Sequence, residues 1–506
     1  MDRDEARFAT ASKTMLLNDE FIDIRMGDEP RYKKPIGIYW AQIFSNHIFG
    51  SPPYDEIWIY RLPSIFGIFF CLILSFFFIK RTHNENVAFL SVFFLIFSIL
   101  TISEAHQAKT DGLLFLTISF CNLVIYQTIN KKKISKNLMY LFWVSLAIGI
   151  LLKGPIILIF TFLPLLIFSI ITKKNYFKSL SSFSSIMLFF LISVPWFVLI
   201  TIKSKGLFWQ ESIGNDLFNK IKSGQESHGF LPGYYSVLIF LFFWPGSIFL
   251  YSLVNEIKLK FKEIIFKDES TLFLILNFIV PFIFYELIPT KLPHYIFPSY
   301  LALSILISNY IVKNNYSRKT MKFSLLPLII FPLAIISFII YAVISYSNPD
   351  AIFFSIILLF LILTVLLIWA NHRRNVKKLL VFSGIFQILN YLMLVFFLIP
   401  RLDKLWIAVK INNIISIHEK NVDEIYTLGF NEPSLLFLTS HKSKDLASVD
   451  LKLNKSKEKK IMLVITSEHI KKIEEEKLFN EFFLHEEFSG FNYSRGKEVR
   501  FKVYRN

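Results

Sequence analysis

The chain has 506 residues, 54% of them hydrophobic and 57 of them phenylalanine, with a formal net charge of +17. A mean hydropathy of +0.50 excludes a soluble globule and predicts a polytopic membrane protein. The charge does not point to nucleic acid, because the lysines and arginines stand in short clusters between apolar runs, where membrane proteins carry them.

The first 56 residues hold two charged clusters, Asp4-Glu5-Ala6-Arg7 and Arg31-Tyr32-Lys33-Lys34-Pro35. Around them, residues 6–17 and 37–49 place apolar side chains at roughly helical spacing, which predicts two helices lying flat on a membrane. Charges that close to a bilayer need a role. A carboxylate pair and a lysine pair in one short polar segment suit an anionic, lipid-borne substrate.

Apolar runs of membrane length then predict twelve spans, near residues 57–79, 87–102, 113–129, 138–152, 154–172, 184–202, 235–254, 271–289, 296–312, 323–344, 352–369 and 380–399. Every second loop is basic: residues 80–81, 131–136, 173–178, 258–267, 313–322 and 373–378 carry 21 Lys and Arg, against seven in the alternate loops. The basic loops are therefore expected inside and the others outside. An even number of spans leaves the first 56 residues and the tail on the outer side. No apolar segment or signal peptide precedes Asp4 to export them, so a further membrane helix is expected before Met1. Cys71 and Cys121 both fall within apolar runs, which argues against a disulfide or a cysteine metal site.

From about residue 400 the composition turns mixed. Strand-like 425–428 and 460–466 and a charged helical run near 468–479 predict a compact α/β domain of ordinary size. No internal repeat stands out.

The outer loops hold most residues suited to chemistry. Asp111 follows Glu104, His106 and Lys109; Lys153-Gly154-Pro155 reads as a tight turn; and Gly224 to Gly229, with Glu226 and His228, followed by Pro232-Gly233-Tyr234, reads as a lid or acceptor-binding loop. Glu226 and His228 are candidate ligands for a divalent metal, although two ligands do not make a site. Each charge also has a plainer reading. Asp4 and Arg7 have the spacing of a surface ion pair, Lys34 that of a lysine reaching out from an interfacial helix, and Asp111 that of a polar turn.

Five short motifs in a fixed order carry a family resemblance: Asp4-Glu5-Ala6-Arg7-Phe8-Ala9, Lys34-Pro35 with Tyr39-Trp40, Asp111-Gly112-Leu113, Lys153-Gly154-Pro155, and Lys291-Leu292-Pro293-His294-Tyr295 with Pro298. The chain resembles the GT-C fold polyprenyl-phosphate-sugar glycosyltransferases, in particular the aminoarabinose lipid A transferases, which are related to the protein O-mannosyltransferases. The resemblance implies a GT-C membrane domain of about thirteen helices, an exported catalytic loop over residues 1–56, a transmembrane domain over 57–399 and a periplasmic α/β domain over 400–506. It implies a multi-pass protein of the bacterial inner membrane whose site faces the periplasm. The implied partners are a polyprenyl-phosphate-sugar donor, lipid A or another envelope acceptor, and membrane lipids.

By the same resemblance Asp4, with Glu5 and Asp111, is catalytic, while Arg7, Lys34, Lys291 and Tyr295 bind the donor phosphate. Physical chemistry fits those roles: fixed cations stabilise a departing phosphate, and a carboxylate opposite them takes a hydroxyl proton or orients an acceptor already ionised. Lys33 stands where the aminoarabinose branch often has a glutamate, which removes one possible metal ligand. The segment Gly429 to Ser434 resembles one in related bacterial members and reads first as a turn after a strand. No definite cofactor is implied, and a divalent metal stays open; no nucleotide site is expected, and no nucleotide-binding glycine pattern is evident. The rivals are a protein O-glycosyltransferase with the same donor, an envelope oligosaccharide ligase or polymerase, and a lipid or glycan transporter. A transporter would place its ionisable groups at mid-span.

Overall fold

The computed structural model describes residues 1–131, 134–219, 230–313, 318–439, 444–445, 460–470 and 482–506. Among these, nine helices are long and apolar enough to cross a membrane, and two further helix pairs are so only when taken together across a sharp bend. The first bent pair, Glu85–Ile96 and Ile99–Ala105, turns by 65°; the second, Tyr234–Phe242 and Gly246–Leu259, turns by 115°. Ile156–Thr172 is apolar with 17 residues, about 26 Å at the α-helical rise and a little short of a hydrocarbon core. The twelve expected spans thus correspond to twelve apolar segments, two of them broken where the sequence suggested straight helices. At the second break Pro245 and Gly246 interrupt the apolar run.

Two helices form the centre. Asp111–Asn130 and Pro293–Lys313 are the most enclosed by their neighbours, whereas Phe183–Lys203 and Ala351–His372 leave most of their apolar surface outward, as lipid-facing helices do. Close approach of backbones sets where the central pair begins. A side chain at Gly112 would lie 2.7 Å from the Cα of Ser64 in the helix Ile57–Thr82, so only glycine allows that crossing. The crossing fixes the neighbouring Asp111.

The amino-terminal segment forms helix α1 (Arg3–Leu17), a two-residue hairpin of β1 (Arg25–Met26) and β2 (Glu29–Pro30), and helix α2 (Gly37–Phe49). The first residue of α2 lies against the end of the helix Lys136–Lys153, where a Cβ on Gly37 would meet the Leu151 carbonyl at 2.8 Å. That contact carries Lys34 towards Lys153. Helix α2 has the surface of an interfacial helix: Trp40, Phe44, Ile48 and Phe49 are exposed, while Tyr39, Gln42, Ile43 and Asn46 are buried. Helix α1 differs from the expectation. Ala6, Phe8, Ala9, Thr10, Ala11, Ser12, Lys13, Met15 and Leu16 are all buried, because α2 packs on one side and the tail on the other.

The tail contains a five-stranded sheet in the order β4-β3-β5-β7-β6, formed by β3 (Glu424–Leu428), β4 (Lys444–Asp445), β5 (Ile461–Thr466), β6 (Phe483–Asn492) and β7 (Lys497–Arg505). Strand β3 pairs parallel with β4 and β5, and β7 pairs antiparallel with β5 and β6. The amphipathic helix Ile407–His418 packs Ile407, Ile411, Ile414 and Ile415 against it. This is the small α/β domain expected from the sequence; most of the charged run at 468–479 lies outside the described residues. The tail grips α1 directly. Lys13, 1% exposed, pairs with Asp55 and donates to the Phe437 carbonyl at 2.7 Å, and Arg3 meets Glu432 at 3.4 Å.

Candidate active site

The tail-facing ends of these segments enclose a cavity of about 240 Å³. Helix α1 contributes Asp4 and Phe8, the segment before α2 contributes Lys34, and the start of the central helix contributes Lys109, Thr110 and Asp111. Lys153, Asp216 of the helical turn Gln210–Leu217, Tyr285, His294 and Tyr295 complete the polar end. Ile156, Ile159, Phe284, Ile288 and Leu292 make one flank apolar.

The charges at the polar end are arranged in pairs. Lys153 Nζ lies 2.5 Å from Asp111 Oδ1, with both side chains less than a tenth exposed. Thr110 Oγ1 donates to the second oxygen of Asp111 at 3.3 Å, and His294 Nε2 stands 3.9 Å from it. Lys153 also sits 5.6 Å from the Tyr295 ring centre. Lys34 Nζ meets Asp216 at 2.7 Å, Arg7 Nη1 meets Asp4 at 2.9 Å, and Lys109 meets Asp2 at 2.7 Å.

Burial alone would raise the pKa of Asp4, but Lys109, then Arg7 and Arg31, outweigh it and hold the carboxyl below the usual carboxylate range. Asp4 is therefore ionised at neutral pH. Burial opposes the charge on Lys109, yet Asp2, Glu104 and Asp4 raise its pKa and keep it an ammonium.

Of the residues singled out from sequence, Asp4, Asp111, Lys34 and Tyr295 line the cavity. Arg7 is bound to one of them, Asp4. Glu5 is used elsewhere: it accepts from Arg61 Nε and Nη2 at 2.6 and 2.9 Å and from the Ala108 amide at 3.0 Å, pinning α1 to the helix Ile57–Thr82 and to the loop ahead of Asp111.

Lys291 is a helix cap. Its ammonium donates to the carbonyls of Tyr285, Glu286 and Ile288 at 3.1, 2.6 and 2.8 Å, which engages all three of its protons at the end of the helix Glu269–Leu287. Tyr234 stacks on Phe230 with ring centres 4.8 Å apart and is not among the lining residues. Glu226 and His228 lie outside the described residues. Among the described residues no group of three or more His, Cys, Asp or Glu is arranged to hold a metal.

Sequence reasoning missed three participants. Lys153 read as a turn residue, Lys109 as part of a polar turn, and Asp216 carried no signal. Only its distance from Lys34 in three dimensions reveals it.

Comparison with known proteins agrees with this geometry. Residues 6–207 match the family described as dolichyl-phosphate-mannose-protein mannosyltransferase. ArnT from Cupriavidus metallidurans, solved bound to undecaprenyl phosphate, superposes with a TM-score of 0.75 over 100% of this chain and 93% of that one, at 16% identity. The chain has the GT-C membrane fold. It is similar in sequence, over residues 6–207, to the protein O-mannosyltransferases and, at 24% identity, to the aminoarabinose transferases.

Curated relatives of this GT-C chain include the undecaprenyl phosphate-alpha-4-amino-4-deoxy-L-arabinose arabinosyl transferase of Photorhabdus laumondii, 24% identical over 60% of this chain and 54% of that protein. An uncharacterised protein of Aquifex aeolicus is also 24% identical, over 60% of this chain and 58% of its own length. The GT-C chain thus spans little more than half the length of the curated relatives it matches. Many apolar helices in this fold make it a multi-pass membrane protein.

Proposed function

We propose that the chain transfers a sugar from an undecaprenyl-phosphate-type carrier to an envelope acceptor, with lipid A the leading acceptor, at the periplasmic face of the bacterial inner membrane. The observation that carries this reading is a single cavity with lysines and aspartates at one end and an isoleucine and phenylalanine flank beside them. That combination suits a phosphate joined to a prenyl chain. The names of the curated relatives support the same donor class.

In this reading residues 1–56 form the exported catalytic segment, 57–399 the transmembrane domain and 400–506 a periplasmic domain above it. The bond between the anomeric carbon and the donor phosphate breaks, its electron pair leaves with the phosphate oxygen, and the acceptor oxygen bonds the anomeric carbon. Lys34, Lys109 and Lys153 stabilise the charge gathering on the phosphate. Asp4, ionised and held by Arg7, faces the acceptor. It takes the proton of a hydroxyl acceptor, or orients a lipid A phosphate that has none to give. Asp111 holds Lys153, and Tyr295 lies beside that ammonium.

A protein hydroxyl is the alternative acceptor, favoured by the family that residues 6–207 match. A transporter is disfavoured, because the paired charges gather at one end of the spans rather than at mid-span.

The test is mass spectrometry of lipid A from cells lacking the gene, complemented with the wild type or with Asp4→Asn. A sugar mass restored only by the wild type is expected. Lipid A identical in all strains would remove it as the acceptor, and full restoration by Asp4→Asn would overturn the site.

A further inference from the structure

We infer that Arg31 is a further anion-binding residue of this cavity, adding a guanidinium to the lysines that meet the donor phosphate. The inference rests on the donor reading above. Arg31 lies between the hairpin and the cavity. Its backbone N–H bonds to the Ile24 carbonyl at 2.8 Å, and three residues later Lys34 lines the cavity, a span of at most about 10 Å. Its guanidinium carbon sits 5.2 Å from the ring centre of Phe8, and both Phe8 and Asp4 line the cavity.

The Arg31 guanidinium interacts with the hydroxyl of Tyr39, itself fully buried, while Arg31 Nε is buried without a hydrogen-bond partner among the described residues. Buried donors are normally satisfied, so a guanidinium with a donor left open behind cavity-lining Phe8 has capacity that a ligand can complete.

The charge pattern gives that opening a sign. Lys34, Lys153, Lys109 and Arg7 each meet a carboxylate within 3 Å. Among the described residues no acid is in ion-pair contact with Arg31, whose field acts on Asp4. Its positive charge is the least compensated of the five. A guanidinium also offers a planar fork of N–H groups matched to two phosphate oxygens, which an ammonium does not. When the anomeric bond breaks, the phosphate gains negative charge, and a weakly compensated cation stabilises that change more than one already neutralised.

The experiment measures binding of undecaprenyl phosphate and of undecaprenol to the full chain in detergent, for the wild type, Arg31→Gln, Arg31→Lys and Lys34→Ala. The ratio of the two affinities isolates the phosphate. In Arg31→Gln it should fall about tenfold or more, and in Arg31→Lys by an intermediate amount, while undecaprenol binding is kept. A merely structural role for Arg31 would weaken both lipids alike. That result, or an unchanged ratio in Arg31→Gln, overturns the inference. Should Arg31→Gln fail to fold, the ratio in Arg31→Lys decides in the same way. A wild type that does not prefer the phosphate, or a Lys34→Ala that keeps the full preference, would instead sink the donor reading itself.

Discussion

Two buried lysines at the ends of neighbouring turns make the clearest comparison in this molecule. Lys153 ends one transmembrane helix and Lys291 follows another, and both belong to short motifs with glycine or proline beside them. Both are less than a tenth exposed. Lys153 points into the cavity and is held by a side-chain carboxylate at 2.5 Å, whereas Lys291 turns back and donates to three carbonyls of its own turn. Burial of a lysine is therefore not by itself a mark of function. The partner decides: a carboxylate at a cavity leaves the ammonium available to a substrate anion, and a cap uses it up.

The largest expected effect follows from that difference. Lys153→Gln should lower kcat/KM by about a hundredfold or more, the order seen when a fixed donor to a developing anion is removed. Lys291→Gln should lower the melting temperature through loss of buried hydrogen bonds, about 1–3 kcal/mol, while the activity per folded molecule stays within a few fold. Kinetics and thermal unfolding on the same detergent preparations separate the two. Equal losses of activity at equal fold would break the distinction.

A second experiment sharpens it. Removing one member of a buried ion pair leaves a lone charge, at a cost of about 3–5 kcal/mol, whereas replacing both with apolar residues is often far milder. Asp111→Leu should therefore destabilise strongly, and Asp111→Leu with Lys153→Met should recover much of that stability while remaining inactive. Recovery of activity in the double variant would show that the pair is structural only.

The pH dependence gives a third, smaller test. Asp4 has its pKa lowered because Lys109, Arg7 and Arg31 outweigh its burial. Its ionised form therefore persists below the pH at which a free aspartate, near about 3.9, takes up a proton. Activity should show no acid limb at the ordinary carboxylate position, only one below it. Lys109→Gln removes the first of the three favourable charges and should move the limb upward. A limb that does not move would mean that Asp4 does not limit the rate.

Much of this was legible in the sequence, for physical reasons that also mark where reading stops. Apolar length located the membrane segments because a hydrocarbon core tolerates nothing else over about 20 residues, but length says nothing about bending, so the 65° and 115° breaks were not foreseen. The motifs around Asp4, Lys34, Asp111 and Tyr295 flagged residues that do line one cavity. Partners distant in sequence were invisible: Asp216 meets Lys34 across 182 positions, and Lys153 meets Asp111 across 42. Helix α1 looked interfacial because its apolar face is real; what covers that face is a tail segment more than 400 residues away.

That coverage leads to the smallest and most specific prediction. Lys13 is buried, pairs with Asp55, donates to the Phe437 carbonyl and lies 5.4 Å from the Phe437 ring centre, so one side chain ties α1 to the tail. Lys13→Met keeps the aliphatic stem and the packing while removing the charge and the hydrogen bonds. Because α1 carries Asp4 and Arg7 within about three turns before Lys13, a loosened α1 should widen their placement and reduce kcat a few fold with little change in donor KM. Hydrogen exchange should rise in 3–17 and 433–439 together, since the two helices protect each other. Faster exchange in the tail alone would show that α1 is held by α2 without help, and the tail would then be a neighbour of the site rather than part of what positions it.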